Sequence, residues 1–544
     1  MTFLILLATG CKDGILLEDW REPELVLRTP AAGEHTTGET VRVTGVARHL
    51  DEVEVNGIPA DVSMWGGFEV EVPVDNGMTV IEAVGFRDDG EIRFERHAII
   101  SGRFGDPDQP VEQAIVARVN QGALDFAMLL AQDAINPDEI TRQAMAMNPV
   151  MNEDGWLMTV KAVIDTVSFQ QPKLRATPTV DNLLIELRIP AFHVAVSSWG
   201  QILGNPFDVW VSVGADEIKI TPGLGMGSDG ERLKLTVESF DIELIGFSFD
   251  TSLLPGEIED MLLVDSVVEK MESALETAAQ ELLAPVVETA LDGLDLSFET
   301  QISGRALTGE LAFSDAFVDT DGIQLAMDME THMPASVTSR APGYLLSEGG
   351  SPSPSTKADL SVAISDDFVN ALFFQMWQAG LLDIELSTED GTLDPELLTR
   401  LKAEEGTIRA RAELPPLIGQ ERGRLQIQVG ELAVDLDTPG GELGDHLELA
   451  VDLQIDAAPT TYEGVLDLGL GEPTIDMMVR DNDWGATEES TTNLIEAMLP
   501  LDSLVGVLGG VEIPLPSIDG TTPIDIKILR DDSGAHTMVG LDLD

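Results

Sequence analysis

The residues able to do chemistry are plentiful in this chain but poorly arranged for it. Seven histidines (His35, His49, His97, His193, His332, His446 and His536) are scattered, and no two stand at a metal-ligand spacing. Gly225-Met226-Gly227-Ser228-Asp229-Gly230 spells GxGxxG, yet it lies between strand patterns at Glu217–Ile220 and Leu233–Val237. A phosphate cradle needs a helix N-terminus directly after the glycines, so a hairpin is expected there. Asp319-Thr320-Asp321-Gly322 has part of a calcium-loop spacing but lacks the preceding acidic position and the closing Glu. No GxSxG, HExxH or CxxC occurs. With 97 carboxylates, closeness in sequence nominates no acid–base pair. The expectation is a protein that is not an enzyme, with no catalytic residue, no metal and no cofactor.

Charge excludes further classes. Against 97 Asp+Glu stand 31 Lys+Arg, a net charge of −66, with a pI near 4.1. Such a surface repels phosphate backbones, so no nucleic-acid partner is expected. It also disfavours adhesion to anionic headgroups through a basic patch. The 43% hydrophobic and 24% charged content is that of a folded globular chain. At roughly 100–200 residues per domain, the length predicts two to four domains.

The elements that position these groups begin at the N-terminus. The apolar run Thr2 to Gly10 is too short to cross a bilayer. It leads through Leu7-Ala8-Thr9-Gly10 into Cys11, the only cysteine, so no internal disulfide can form. This junction resembles the lipobox of bacterial lipoproteins. The resemblance implies a signal over residues 1–11, acylation of Cys11 and, with Lys12 next, passage to the outer membrane. The alternative is a short apolar tail carrying a free thiol. A polar tether, 12–24, follows.

Residues 25–103 alternate in short strands broken by Asn56-Gly57, Asp75-Asn76-Gly77 and Asp88-Asp89-Gly90, which predicts an all-β sandwich. VEVNGIPADV…GGFEVEVPVDNGMTVIEAVGF resembles bacterial Ig-like modules, which implies a spacer. After Gly105, Pro107 and Pro110, the spacing of Val116, Val119, Ala123, Phe126, Ala127 and Leu130 predicts a helix over 111–134. Long strands are expected from Trp156, Asn182, Val209 and Leu233. The longest helix is expected after Pro255, with Val264, Val268, Met271, Leu275, Ala278 and Leu282 in a 4-3-4-3-4 stripe. The Pro/Gly/Ser-rich stretch 334–356 reads as a linker. Beyond it the order recurs, with a helix capped by Ser365 and closed by Gly380 and a late helix over about 491–508, so internal duplication is expected.

VARVNQGALDFAMLLAQ (116–132) and VAISDDFVNALFFQMWQAGLLDIEL (362–386), with the long apolar helix and the closing GVEIPLPSIDG, resemble the family of bactericidal/permeability-increasing protein, lipopolysaccharide-binding protein and the plasma lipid transfer proteins. The resemblance spans roughly 110–544. It implies an α+β fold: two tubular lipid-binding (TULIP) domains, 110–333 and 357–544, each with long helices wrapped by curved antiparallel sheet, arranged as a boomerang. It also implies apolar tunnels for phospholipid or similar amphiphiles. The candidate lining residues are the six of the long-helix stripe together with Leu372, Met376 and Trp377. The family's basic tip and disulfide are missing here. The expected function is that of a lipid-anchored envelope protein that binds such lipids, with transfer as a further step. The rival is a structural or interaction lipoprotein whose barrels are closed and empty.

Overall fold

The computed structural model describes residues 23–544 apart from three longer stretches, 252–295, 485–500 and 517–524, and short breaks at 88–89, 91, 135–136, 147, 156–157, 229–232, 338–340, 356, 394, 422, 463 and 544. The long helix expected after Pro255, with Val264, Val268, Met271, Leu275, Ala278 and Leu282, lies outside the described residues, as does Cys11.

The expected α+β class is corrected to a predominantly β architecture. Among the described residues there are 33 strands and five helices, and the longest of these helices, Gln121–Ala134, has 14 residues. The strands Asn182–Ile202 and Asn205–Ser228 have 21 and 24. These two long strands, with the shorter ones paired to them, leave helices a minor share of the described residues.

Part of that error sits at residues 111–134. Only the second half is helical; Val111–Asn120 is a strand, with seven consecutive buried residues from Ala114 to Asn120. Both of its faces are covered, one by the main core and the other by Val116 packed with Ala326 and Ala363. A strand buried on both sides shows no two-residue alternation, and a short apolar run of this kind cannot be told from a helix by period.

Residues 24–101 form eight strands whose buried residues, among them Val43, Phe68, Val55, Ile81 and Ile99, make one shared core. Asn56 and Gly57, with φ of 47° and 73°, close the hairpin between Glu52–Val55 and Ile58–Val62. Positive φ at both central residues is what a two-residue turn of this hand requires. Gly77 opens a strand that pairs with other partners than the strand ending at Pro73, so Asp75-Asn76-Gly77 is a crossover within the eight-stranded sheet and no hairpin.

A seven-stranded sheet joins the two halves of the rest, in the order 298–302, 305–318, 322–332, 111–120, 360–365, 536–542, 525–530. At its middle, Val111–Asn120 and Leu360–Ser365 run antiparallel, and each leads without a break into a helix, at Gln121 and Asp366. Ile115 faces Ile364, and Val119 faces Leu360. Ile115 and Leu360 stand equally far before their helices, as do Val119 and Ile364, so a local two-fold passes through the Ala117–Val362 pair. Each half then builds its own sheet, over 151–251 and 384–482, and returns to the central sheet as a hairpin. The two-fold relation between the halves is therefore written in backbone register.

The N-terminal sandwich packs onto this body. Arg96 bridges Asp452 and Asp476, both at 2.8 Å. Ala98 and Ile100 share a cluster with Leu345, Leu414 and Leu417. Arg103–Gly105 pairs with Tyr344–Leu346, a strand inside the stretch expected to be linker. The module expected as a spacer is thus docked on the body through these contacts.

Candidate functional site

The helix Asp366–Gln378 carries the described lipid candidates. Ser365 caps it: its Oγ accepts the Phe368 N–H at 3.1 Å, and Gly380 follows its end at φ 69°. Serine serves here because its hydroxyl satisfies an N–H that the first turn leaves unpaired. The helix is buried on nearly every side, which its composition of Phe, Leu, Met and Trp with few charges permits. Leu372 and Met376 are fully enclosed, in line with Phe368 one turn earlier. Trp377 is 7% exposed, and its indole Nε1–H donates to Ala412 O at 2.7 Å. The structure thus gathers all three residues, within protein contacts.

Asp366, the first helical residue, lies under the central sheet. Arg530 holds both its oxygens, at 2.7 and 2.6 Å, and also donates to Thr537 Oγ1 at 3.0 Å. Burial still pushes the Asp366 carboxyl above its usual range, against the pull of the guanidinium. This is a structural ion pair, spent on holding the helix to the sheet.

The first half presents a different surface. Along Asn182–Ile202 the buried residues run Leu183, Ile185, Leu187 and Ile189, then change parity to Phe192, Val194 and Val196. The switch falls at Ala191, whose φ of 51° marks a local distortion, and Asp216 opposite it is likewise skipped in the pairing. Such an irregularity bends both strands and lets a 21-residue strand keep one face inward while the sheet curls. On the neighbouring strand Leu233–Ile245, the inward residues Leu233, Leu235, Phe240, Ile242 and Leu244 stay only half-buried. Their cross-strand partners Ile218 and Ile220 are fully covered. Sequence reasoning placed this strand but not its half-open inner face, because alternation reports which side faces inward and not how completely that side is filled.

The weaker motifs resolve simply. Asp319 accepts two bonds from Arg118, at 2.7 and 2.9 Å, and the backbone N–H groups of Asp321 and Gly322. Its oxygens are occupied in shaping a hairpin, and the Arg118 guanidinium leads the causes that hold its pKa down. Gly225 to Ser228 continue a strand paired with Leu233–Thr236. The histidine survey missed one group: Asp435, His446 and Glu448 offer ligand atoms within 4.8 Å of one another. The signal would have been His-x-Glu on one strand with Asp435 opposite Glu448, visible only once the register is known. Asp437 bonds His446 Nδ1 at 3.1 Å and leads the causes raising its pKa. These half-buried groups could hold a cation.

No curated protein matches the chain. Among solved structures, one described as "Crystal structure of lipopolysaccharide binding protein" is similar at 13% identity and TM-score 0.42, over 79% of this chain and 99% of that one. Another, "Structures of Clostridium thermocellum CbhA fibronectin(III)-like modules", is similar at 11% identity and TM-score 0.14, over 34% of this chain and 92% of that one. Residues 23–97, the segment folded as the N-terminal sandwich, match the family described as Glucodextranase, domain B.

Proposed function

We propose that this chain is a cell-envelope protein that binds phospholipid or a similar amphiphile, with the ligand's acyl part against the curled sheet of the first half. One observation carries the reading: the inward side chains Leu233, Leu235, Phe240, Ile242 and Leu244 remain half-buried. The neighbouring strand of the same sheet is fully enclosed at Ile218 and Ile220, while on the corresponding edge strand of the second half, Leu470–Asn482, Met477 is enclosed and Ile475 and Val479 are half-buried. An apolar face left partly uncovered gains about 0.8 kcal/mol per methylene it hides, so a chain-like ligand suits it without any catalytic group. The acidic surface and the lipobox-like approach to Cys11 support an anchored envelope location.

Native mass spectrometry of the purified full chain tests this. The expected result is co-purifying lipid whose occupancy falls when Ile242→Asp puts a charge on the inner face. A lipid-free protein, or unchanged occupancy in the variant, overturns it. The rival structural role has its own support, the complete packing around Leu372 and Met376 in the second half. It would then stand for the whole chain.

A further inference from the structure

The turn between Ile58–Val62 and Gly67–Pro73 displays Met64 and Trp65 at 87% and 83% exposure. It is a closed turn: the Gly66 N–H donates to Ser63 O and the Ser63 N–H to Gly67 O, both at 2.8 Å. The Gly67 N–H adds a bond to Ser63 Oγ at 3.0 Å. From Val62 to Phe68 there is no charged residue, in a chain where 24% are charged.

Its position within the module is equally specific. Gly66 O accepts the Ala47 N–H at 2.7 Å, and Ala47 and Arg48 pair with Leu25 and Glu24, where the described chain begins. Arg93 Nε bonds Pro23 O at 3.3 Å at the same end. The far end of the Gly67–Pro73 strand meets the body, where Asn76 donates to Leu346 O at 3.0 Å. Seven residues of strand, about 24 Å at 3.4 Å each, therefore hold the turn away from the body. The sequence joined to Pro23 at this end includes the apolar run Thr2 to Gly10 and Cys11.

We propose that the Met64–Trp65 turn is a membrane contact, seated in the interfacial layer of the same zwitterionic phospholipid surface that the N-terminal segment approaches. Tryptophan suits that layer because its ring is apolar and its N–H polar. Methionine adapts to a disordered surface. The uncharged turn fits neutral headgroups, whereas a protein of net charge −66 is repelled by anionic ones. The contact depends neither on lipid inside the sheets nor on acylation of Cys11.

The test uses the full chain carrying Cys11→Ala, which cannot be acylated, with vesicles of phosphatidylcholine and phosphatidylethanolamine. The expected result is co-sedimentation that drops about tenfold or more when Met64→Ser and Trp65→Ser are added, from the loss of buried apolar side chains. Subtracting the emission of the Trp65→Phe version isolates Trp65, which should shift to shorter wavelength with vesicles. Failure to sediment, equal sedimentation of the variants, or a Trp65 emission that vesicles leave unchanged overturns the proposal.

Discussion

The carboxylate of Glu431 accepts the backbone N–H of Ala98 at 2.6 Å, a bond between the N-terminal sandwich and the second half of the body. Glu431 is 1% exposed, sits at φ 55° in a strand irregularity, and also receives Arg480. Its side chain therefore ties the module down from inside the interface.

Removing that tie should be felt. Glu431→Ala leaves the Ala98 N–H and the Arg480 guanidinium without their acceptor, a cost of about 1–3 kcal/mol for the unsatisfied buried donor alone. Hydrogen exchange at Ala98 and its neighbours should rise in the variant. Unchanged exchange there would show that the apolar cluster around Leu345 and Leu417, with the Arg96 bridges and the Arg103–Gly105 pairing, holds the module without Glu431.

The same residue gives a pH dependence. Burial raises the Glu431 pKa above its ordinary value, so the folded state binds the proton more tightly than the unfolded one. That share of stability is present in acid and is lost as pH rises through the raised pKa. Glu431→Gln does not titrate, so the stability gap between wild type and variant should narrow from pH 4 to pH 7. Denaturant melts across that range check the sign; a gap that widens contradicts it.

Asp531 behaves oppositely. Burial opposes its charge, but bonds from Ser533 and His536 prevail and bring its pKa down to about 2. Its contribution is present above the ordinary carboxylate value and lost as pH falls from about 4 to about 2. Acid unfolding of Asp531→Asn should lack that component, and acid titrations of both proteins followed by circular dichroism measure it.

Arg530→Leu should strand the Asp366 carboxylate beneath the central sheet. Removing one partner of a buried pair costs about 3–5 kcal/mol. The double variant with Asp366→Asn should recover part of the loss, because no charge is then left unpaired. Equal melting temperatures for the single and double variants would place the cost elsewhere.

The two halves should also answer differently to truncation. Leu372→Ala, in complete packing, is expected to lose about 2–5 kcal/mol. Phe240→Ala, on the half-open face, should lose much less stability while lowering any lipid occupancy. Thermal melts paired with native mass spectrometry read both quantities. A large stability loss at Phe240 would mark that face as ordinary core.

By itself the sequence determined the local elements whose chemistry is written in neighbouring residues. Asn56-Gly57 dictates its hairpin through positive φ, and Ser365 caps its helix because a hydroxyl must meet the first-turn N–H groups. The recurrence of a helix after each half's opening was likewise legible, at Gln121–Ala134 and Asp366–Gln378. Only the tertiary structure decided that Val111–Asn120 is a strand, since burial on both faces erases the alternation that would have announced it. It decided the predominance of sheet, because strand length depends on partners and on bends such as that at Ala191. It also joined Ala98 to Glu431 and Asp435 to His446 and Glu448, for register and docking are relations between distant segments, and spacing along one segment carries no record of which other segment will cover it.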